Sequence, residues 1–150
     1  MKLAEALQER ADLNRKIAQL RERLENNAIV QEGEKTPEDP AQLLVELDAS
    51  IRRLEELMAR INKTNTRTLD GEQSITDLIA RKDALRVQVD AYRDIISSAS
   101  QIARRAMRTE IKILSAVDVK ALQKKADELS RELREVDNRI QQLNWMTELQ

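Results

Sequence analysis

Residues 119–143 read VKALQKKADELSRELREVDNRIQQL. Within them Val119, Leu122, Ala126, Leu129, Leu133, Val136, Ile140 and Leu143 return at alternating steps of three and four. That spacing belongs to a helix presenting one apolar seam to a neighbour. Three stretches upstream repeat it. The first is Leu3, Ala6, Arg10, Leu13, Ile17, Leu20 and Leu24, with Leu7 widening the stripe. The second is Leu44, Leu47, Ile51, Leu54, Met58 and Ile61. The third is Ile75, Leu78, Lys82, Leu85, Val89, Tyr92 and Ile96, extended by Ala99, Ala103 and Ala106. Neither Pro nor Gly interrupts any of them, and about 25 residues of helix span ~38 Å. The expected fold is all-α, or nearly so. Long antiparallel helices form a bundle or coiled-coil arrangement in a single helical domain over 1–150.

Composition agrees and excludes much chemistry. Ala, Glu, Lys, Leu and Arg make up 78 of the 150 residues, the bias of long helices. With no Cys and no His, disulfides, zinc fingers, Ser-His triads and Cys nucleophiles are removed. Two glycines are too few for a phosphate-cradling loop. The only aromatic residues are Tyr92 and Trp145, so a base-stacking platform is not expected. Basic residues number 26 and acidic residues 27, leaving no global field aimed at nucleic acid or an anionic membrane. No run approaches the ~20 apolar residues of a spanning helix. Glu5 and Glu9 sit where a signal peptide is apolar. The expected address is cytoplasmic, without membrane insertion.

The connections carry their own signals. Asp39-Pro40, with Gln42 three residues on, reads as an N-cap, a first helical position and a capping box. Ser74 with Asp77 repeats the box pattern, and either Ser115 or Asp118 caps the last helix. Asp70-Gly71 marks a turn. Around 110–114, apolar and charged residues alternate with period two, a strand signal. Its natural partner is 28–31, so one short two-stranded β ladder is expected between about 28–31 and 110–114. Arg10 and Lys82 place cations on otherwise apolar seams. Each either fixes register in a polar pocket or extends its head into water.

Candidate sites are polar rather than catalytic. A carboxylate di-iron centre needs Glu-x-x-His motifs facing inward, and these seams hold neither. Glu32, Glu34, Glu38 and Asp39 form an acidic loop without calcium-loop spacing. From Ser97 to Lys125, seven bases face two acids; such an excess meets phosphates or answers the acidic loop. Residues Ile61 to Arg67 gather Asn62, Lys63, Thr64, Asn65 and Thr66 at a helix end. Arg81 and Asp83, one or two turns into the next helix, are placed to converge with them on a small anion. Alternatively, Asn62 and Asn65 simply cap and turn the chain. Leu7, Leu43, Leu57, Ile79 and Ile95 flank the seams, and a second copy is expected to cover them.

Several strings recur together: Met1 to Leu7 with Glu9-Arg10-Ala11-Asp12-Leu13, Gln31-Glu32-Gly33, Glu38-Asp39-Pro40, Asn62-Lys63-Thr64-Asn65, Glu110-Ile111-Lys112, Val117-Asp118-Val119 and Asn144-Trp145. As an ordered set over essentially the whole chain, they resemble the septicolysin-like family of small bacterial proteins. The resemblance implies an all-helical, self-associating bacterial protein and brings no established activity. Under it, Asn62, Asn65, Arg81, Asp83, Glu110 and Lys112 match recurring polar positions and form the candidate site. The family's label implies a cytolysin, which makes a membrane-active protein the alternative function. The leading expectation is a non-enzymatic oligomeric scaffold or adaptor, a homo-oligomer with no catalytic residue, cofactor or metal. A small-anion or nucleic-acid binding module is the other alternative, with nucleic acid the less expected of the two partners.

Overall fold

A computed structural model describes residues 1–101 and 111–150. Among the described residues there are four long helices: α1 (Leu3–Asn26), α2 (Pro40–Arg67), α3 (Ile75–Ala99) and α4 (Val119–Met146). Between α2 and α3 lies a tight hairpin of β1 (Leu69–Asp70) and β2 (Gln73–Ser74). The chain is therefore all-α with a short two-stranded ladder. The ladder's place differs from the expected one. Residues 28–31 and 111–114 form no strand, and residue 110 lies outside the described residues. At Asp70-Gly71, glycine adopts φ 65°, a left-handed conformation open to it at little cost, and the tight reversal lets adjacent strands pair. Alternation over four residues had no comparable turn to bring a partner alongside.

The helix starts follow from their caps. Glu5 reaches back to the Lys2 amide (2.6 Å) at the start of α1. Asp39 accepts from the Ala41 amide (3.0 Å) with Pro40 at the first position. Ser74 and Asp77 close a reciprocal capping box on α3. Asp118, not Ser115, caps α4, accepting from the Ala121 amide (3.0 Å). Ser115 instead donates to the Val117 carbonyl.

The chain divides into two compact units. The first comprises Met1–Leu69 with Leu143–Gln150, and the second Asp70–Gln142. In the first, α1 and α2 pair antiparallel over a core of Leu3, Ala6, Leu20, Leu43, Leu57 and Ile61. Its chain ends are tied together. Leu3 donates to the Thr147 carbonyl (2.9 Å), and Leu149 to that of Met1 (2.9 Å). In the second, Leu85 and Val89 of α3 pack against Leu129 of α4, with Tyr92, Leu133 and Val136 around them. Lys82, on the α3 seam, keeps its ammonium at the edge and pairs with Asp137 of α4 (3.2 Å).

One helix turns a different face inward from the expected one. Spacing alone assigns the α2 stripe to Leu44, Leu47, Ile51, Leu54, Met58 and Ile61. The buried positions are Leu43, Ser50, Leu57, Ile61 and Thr64. Leu43 and Leu57, expected as flanks for a second copy, belong to the core, and Leu44, Ile51 and Met58 face outward. The reason lies in two hydroxyls. Ser50 donates to the Glu46 carbonyl and Thr64 to the Arg60 carbonyl, both at 2.8 Å. A Ser or Thr that bonds four residues back satisfies itself locally, so it enters the core without an unpaired polar atom.

Candidate functional site

The α1–α2 hairpin has two unlike flanks. Along one, Glu9 accepts from Arg53 (2.7 and 3.0 Å), Lys16 meets Glu46 (2.8 Å) and Arg23 grips Glu38. Glu9, Lys16 and Arg23 step by seven along α1, while their partners step back by seven from Arg53 to Glu46 on α2 and by eight more to Glu38, just ahead of that helix. This ladder sets the antiparallel register. Hydrogen bonds from Arg53 hold the Glu9 carboxyl below its ordinary range, and those from Arg23 do the same to Glu38.

The opposite flank is apolar and charged but unpaired. Leu44, Ile51 and Met58 are 49, 45 and 45% exposed. Seven-residue steps put them in one ridge on α2. Leu47 and Leu54, half-buried, lie between the ridge and the core. Beyond the ridge stand Asp48 and Glu55, exposed and in no ion pair or side-chain hydrogen bond among the described residues. On α1, Arg10 and Ile17 follow Glu9 and Lys16 by one residue. A step of about 100° per residue carries them across the seam to this second flank. Arg10 is half-buried and also without an ionic partner among the described residues. The ridge was hidden in the sequence because its positions read as core. The signal that exposes it is a second apolar series, Leu43 and Leu57, one residue out of phase, which gives α2 more apolar surface than one neighbour covers.

The six polar candidates divide between the units. Asn62 is exposed on α2, and its carbonyl accepts from the Thr66 hydroxyl (2.9 Å). Asn65 is half-buried in the last turn of α2. Neither caps that helix; the Thr68 amide closes it on the Thr64 carbonyl (2.9 Å). In the second unit, Arg81 is spent on Glu132 of α4. Asp83, two residues on, points to another side of α3. Lys112 is exposed in the connection before α4, and Glu110 lies outside the described residues. That connection borders the far end of α3, where residues 113–117 and Asp94, Ile95, Ser98, Ala99 and Gln101 line an apolar groove of about 430 Å3. Arg81 and Ala99 are ~27 Å apart along α3. Within the second unit, Lys112 and Arg81 therefore occupy opposite ends.

A different basic cluster occurs in that unit. Arg86 and Arg93 of α3 and Arg134 of α4 line a groove of about 320 Å3 together with Val89, Asp90, Ser130 and Leu133. None of the three guanidiniums has an ionic partner among the described residues. The bases Arg104, Arg105 and Arg108 lie outside the described residues. In the acidic loop, Glu38 answers Arg23 and Asp39 caps α2. Among the described residues no group of three or more acidic side chains is placed to hold a metal ion. No described helix is long and apolar enough to cross a membrane.

Comparison with known proteins extends these observations. A model described as a family of unknown function, DUF6847, matches residues 10–149. The crystal structure of a functionally unknown conserved protein from Corynebacterium diphtheriae is 37% identical. It superposes with a TM-score of 0.91, covering 100% of this chain and 99% of that one. A search of curated proteins finds no match.

Proposed function

The chain belongs to DUF6847, a family of unknown function, and from that premise we propose a non-enzymatic helical scaffold that self-associates. One observation carries the proposal: Leu44, Ile51 and Met58 form a half-exposed apolar ridge at heptad spacing on α2. Such a ridge costs free energy in water and releases it when covered. The septicolysin-like resemblance enters this reading only through the self-associating, helical character it implies. Light scattering over a concentration series tests it. The expected result is a mass above 17.3 kDa that Ile51→Lys returns to that of one chain. A single-chain mass at every concentration overturns it.

The groove of Arg86, Arg93 and Arg134 favours a second reading, small-anion binding. Three guanidiniums without an ionic partner among the described residues are forked donors suited to phosphate oxygens. Calorimetric titration with inorganic pyrophosphate tests this reading. Binding that Arg93→Ala abolishes supports it; absence of heat at all concentrations removes it.

A further inference from the structure

The unpaired charges on the ridge flank decide how two copies meet. This inference rests on the self-association reading and adds to it a surface and a symmetry. On that flank the cation comes from α1, Arg10, and the anions come from α2, Asp48 and Glu55. All three are without an ion partner in their own chain among the described residues. By the register of the ion-pair ladder, in which Glu9 meets Arg53 and Lys16 meets Glu46, Arg10 stands level with Arg52. It is thus level with the interval between Asp48 and Glu55, on the other edge of the same face.

Two isologous arrangements cover the ridge. A dyad across the helices lays α2 on α2 antiparallel. Centred on Ile51, it brings Asp48 of one copy beside Glu55 of the other. Like charges placed together across an interface weaken it. A dyad along the helices lays α1 of each copy over α2 of the other and keeps the level of every residue. Arg10 of one copy then enters between Asp48 and Glu55 of the second, twice over by symmetry. Ile17 of one copy comes level with the neighbourhood of Leu44 in the other, and Leu7 with that of Glu55. Two helices about 36 Å long and ~20 Å wide together present ~720 Å2 per partner, near the ~800 Å2 of a standard interface.

The geometry points to a second copy of this chain on the ridge flank: a two-fold dimer with α1 over α2, in which Arg10 of each copy bridges Asp48 and Glu55 of the other.

Charge exchange tests it with intact chains, each variant first shown by circular dichroism to keep its helix content. Sedimentation velocity of the wild type is expected to give a dimer. Arg10→Glu alone, and Asp48→Arg with Glu55→Arg, are each expected to weaken dimerisation on the order of tenfold or more. An equimolar mixture of these two variants is expected to dimerise again as a heterodimer, since one bridge re-forms with exchanged signs and the other with the native ones. The variant carrying all three substitutions is expected to dimerise with itself. A monomeric wild type sinks both this inference and the scaffold reading. A wild-type oligomer indifferent to every charge exchange leaves the scaffold reading standing and overturns this surface. Weakening in both variants without rescue in the mixture overturns the bridge between α1 and α2.

Discussion

Thr64 is fully buried although polar, and its hydroxyl serves two bonds at once. It donates to the Arg60 carbonyl (2.8 Å) and accepts from the Gln150 amide (3.0 Å). Arg60 in turn donates to the Gln150 carbonyl (3.0 Å), so one turn of α2 fastens the last residue through both its backbone groups. Thr64→Val keeps the shape and removes only the hydroxyl. The loss of a net hydrogen bond costs about 1 kcal/mol. The expected outcome is a small fall in melting temperature, together with faster hydrogen exchange at residues 148–150 than in the wild type. Unchanged exchange there would show that the hydroxyl does not hold the tail. Thr64→Ala adds a cavity to the same loss and is expected to cost more, by the ~24 cal/mol per Å3 that residual cavities carry.

At the scale of the element, α2 separates two apolar series that adjacent sequence positions confuse. Leu57 is fully buried while Met58 is 45% exposed. Leu57→Ala is expected to lower unfolding free energy by about 2–5 kcal/mol. Met58→Ala is expected to change it by roughly 0.5 kcal/mol or less while weakening self-association. Chemical denaturation at a concentration where the chain is monomeric separates the two, and equal losses would contradict the burial pattern. The same helix shows what periodicity can and cannot convey. In α1, α3 and α4 the seam residues are all apolar except Arg10 and Lys82, so their inward faces are legible from spacing alone. In α2 the true seam contains Ser50 and Thr64. The apolar count therefore favours the neighbouring face, and only self-satisfied hydroxyls reverse the choice. Turn chemistry at Asp70-Gly71 was legible as a reversal, whereas the alternation at 110–114 lacked any device to bring 28–31 beside it. The polar candidates were the least legible. Periodicity says which residues leave the core, but not which exposed Arg finds a carboxylate across a helix pair, as Arg81 finds Glu132. Nor does it say which find no ionic partner among the described residues, as with Arg86, Arg93 and Arg134.

For the whole molecule, acid should act through one kind of group. Glu9, Glu38, Glu46, Asp70, Asp77 and Glu148 all have carboxyls held below their ordinary values. The causes are hydrogen bonds from Arg53, Arg23, Lys16 and Arg139, from the Ser74 hydroxyl and amide, and from Lys2 with the terminal amine. A carboxyl that is more acidic in the folded state than in the unfolded one binds fewer protons when folded. Its contribution is therefore present in full above the unfolded value, 4.5 for Glu and 3.8 for Asp. It is lost as the pH falls through the depressed folded value. Each pair is exposed enough that solvent screens it, so individual contributions are small, but all six act in the same direction. With no histidine in the chain, no imidazole titrates between about pH 5 and pH 7 to offset or precede the loss. The melting temperature is expected to stay level from about pH 7 to pH 5 and to fall steadily below about pH 4.5. The Glu members of the set are expected to respond before Asp70 and Asp77. Melts followed by circular dichroism across that range check the shape of the curve. Replacing Arg53 by Met should flatten part of its acid limb, because Glu9 then titrates nearer its unfolded value. A curve already falling at pH 6, or level down to pH 3, would mean that these carboxylates do not govern the stability of the fold.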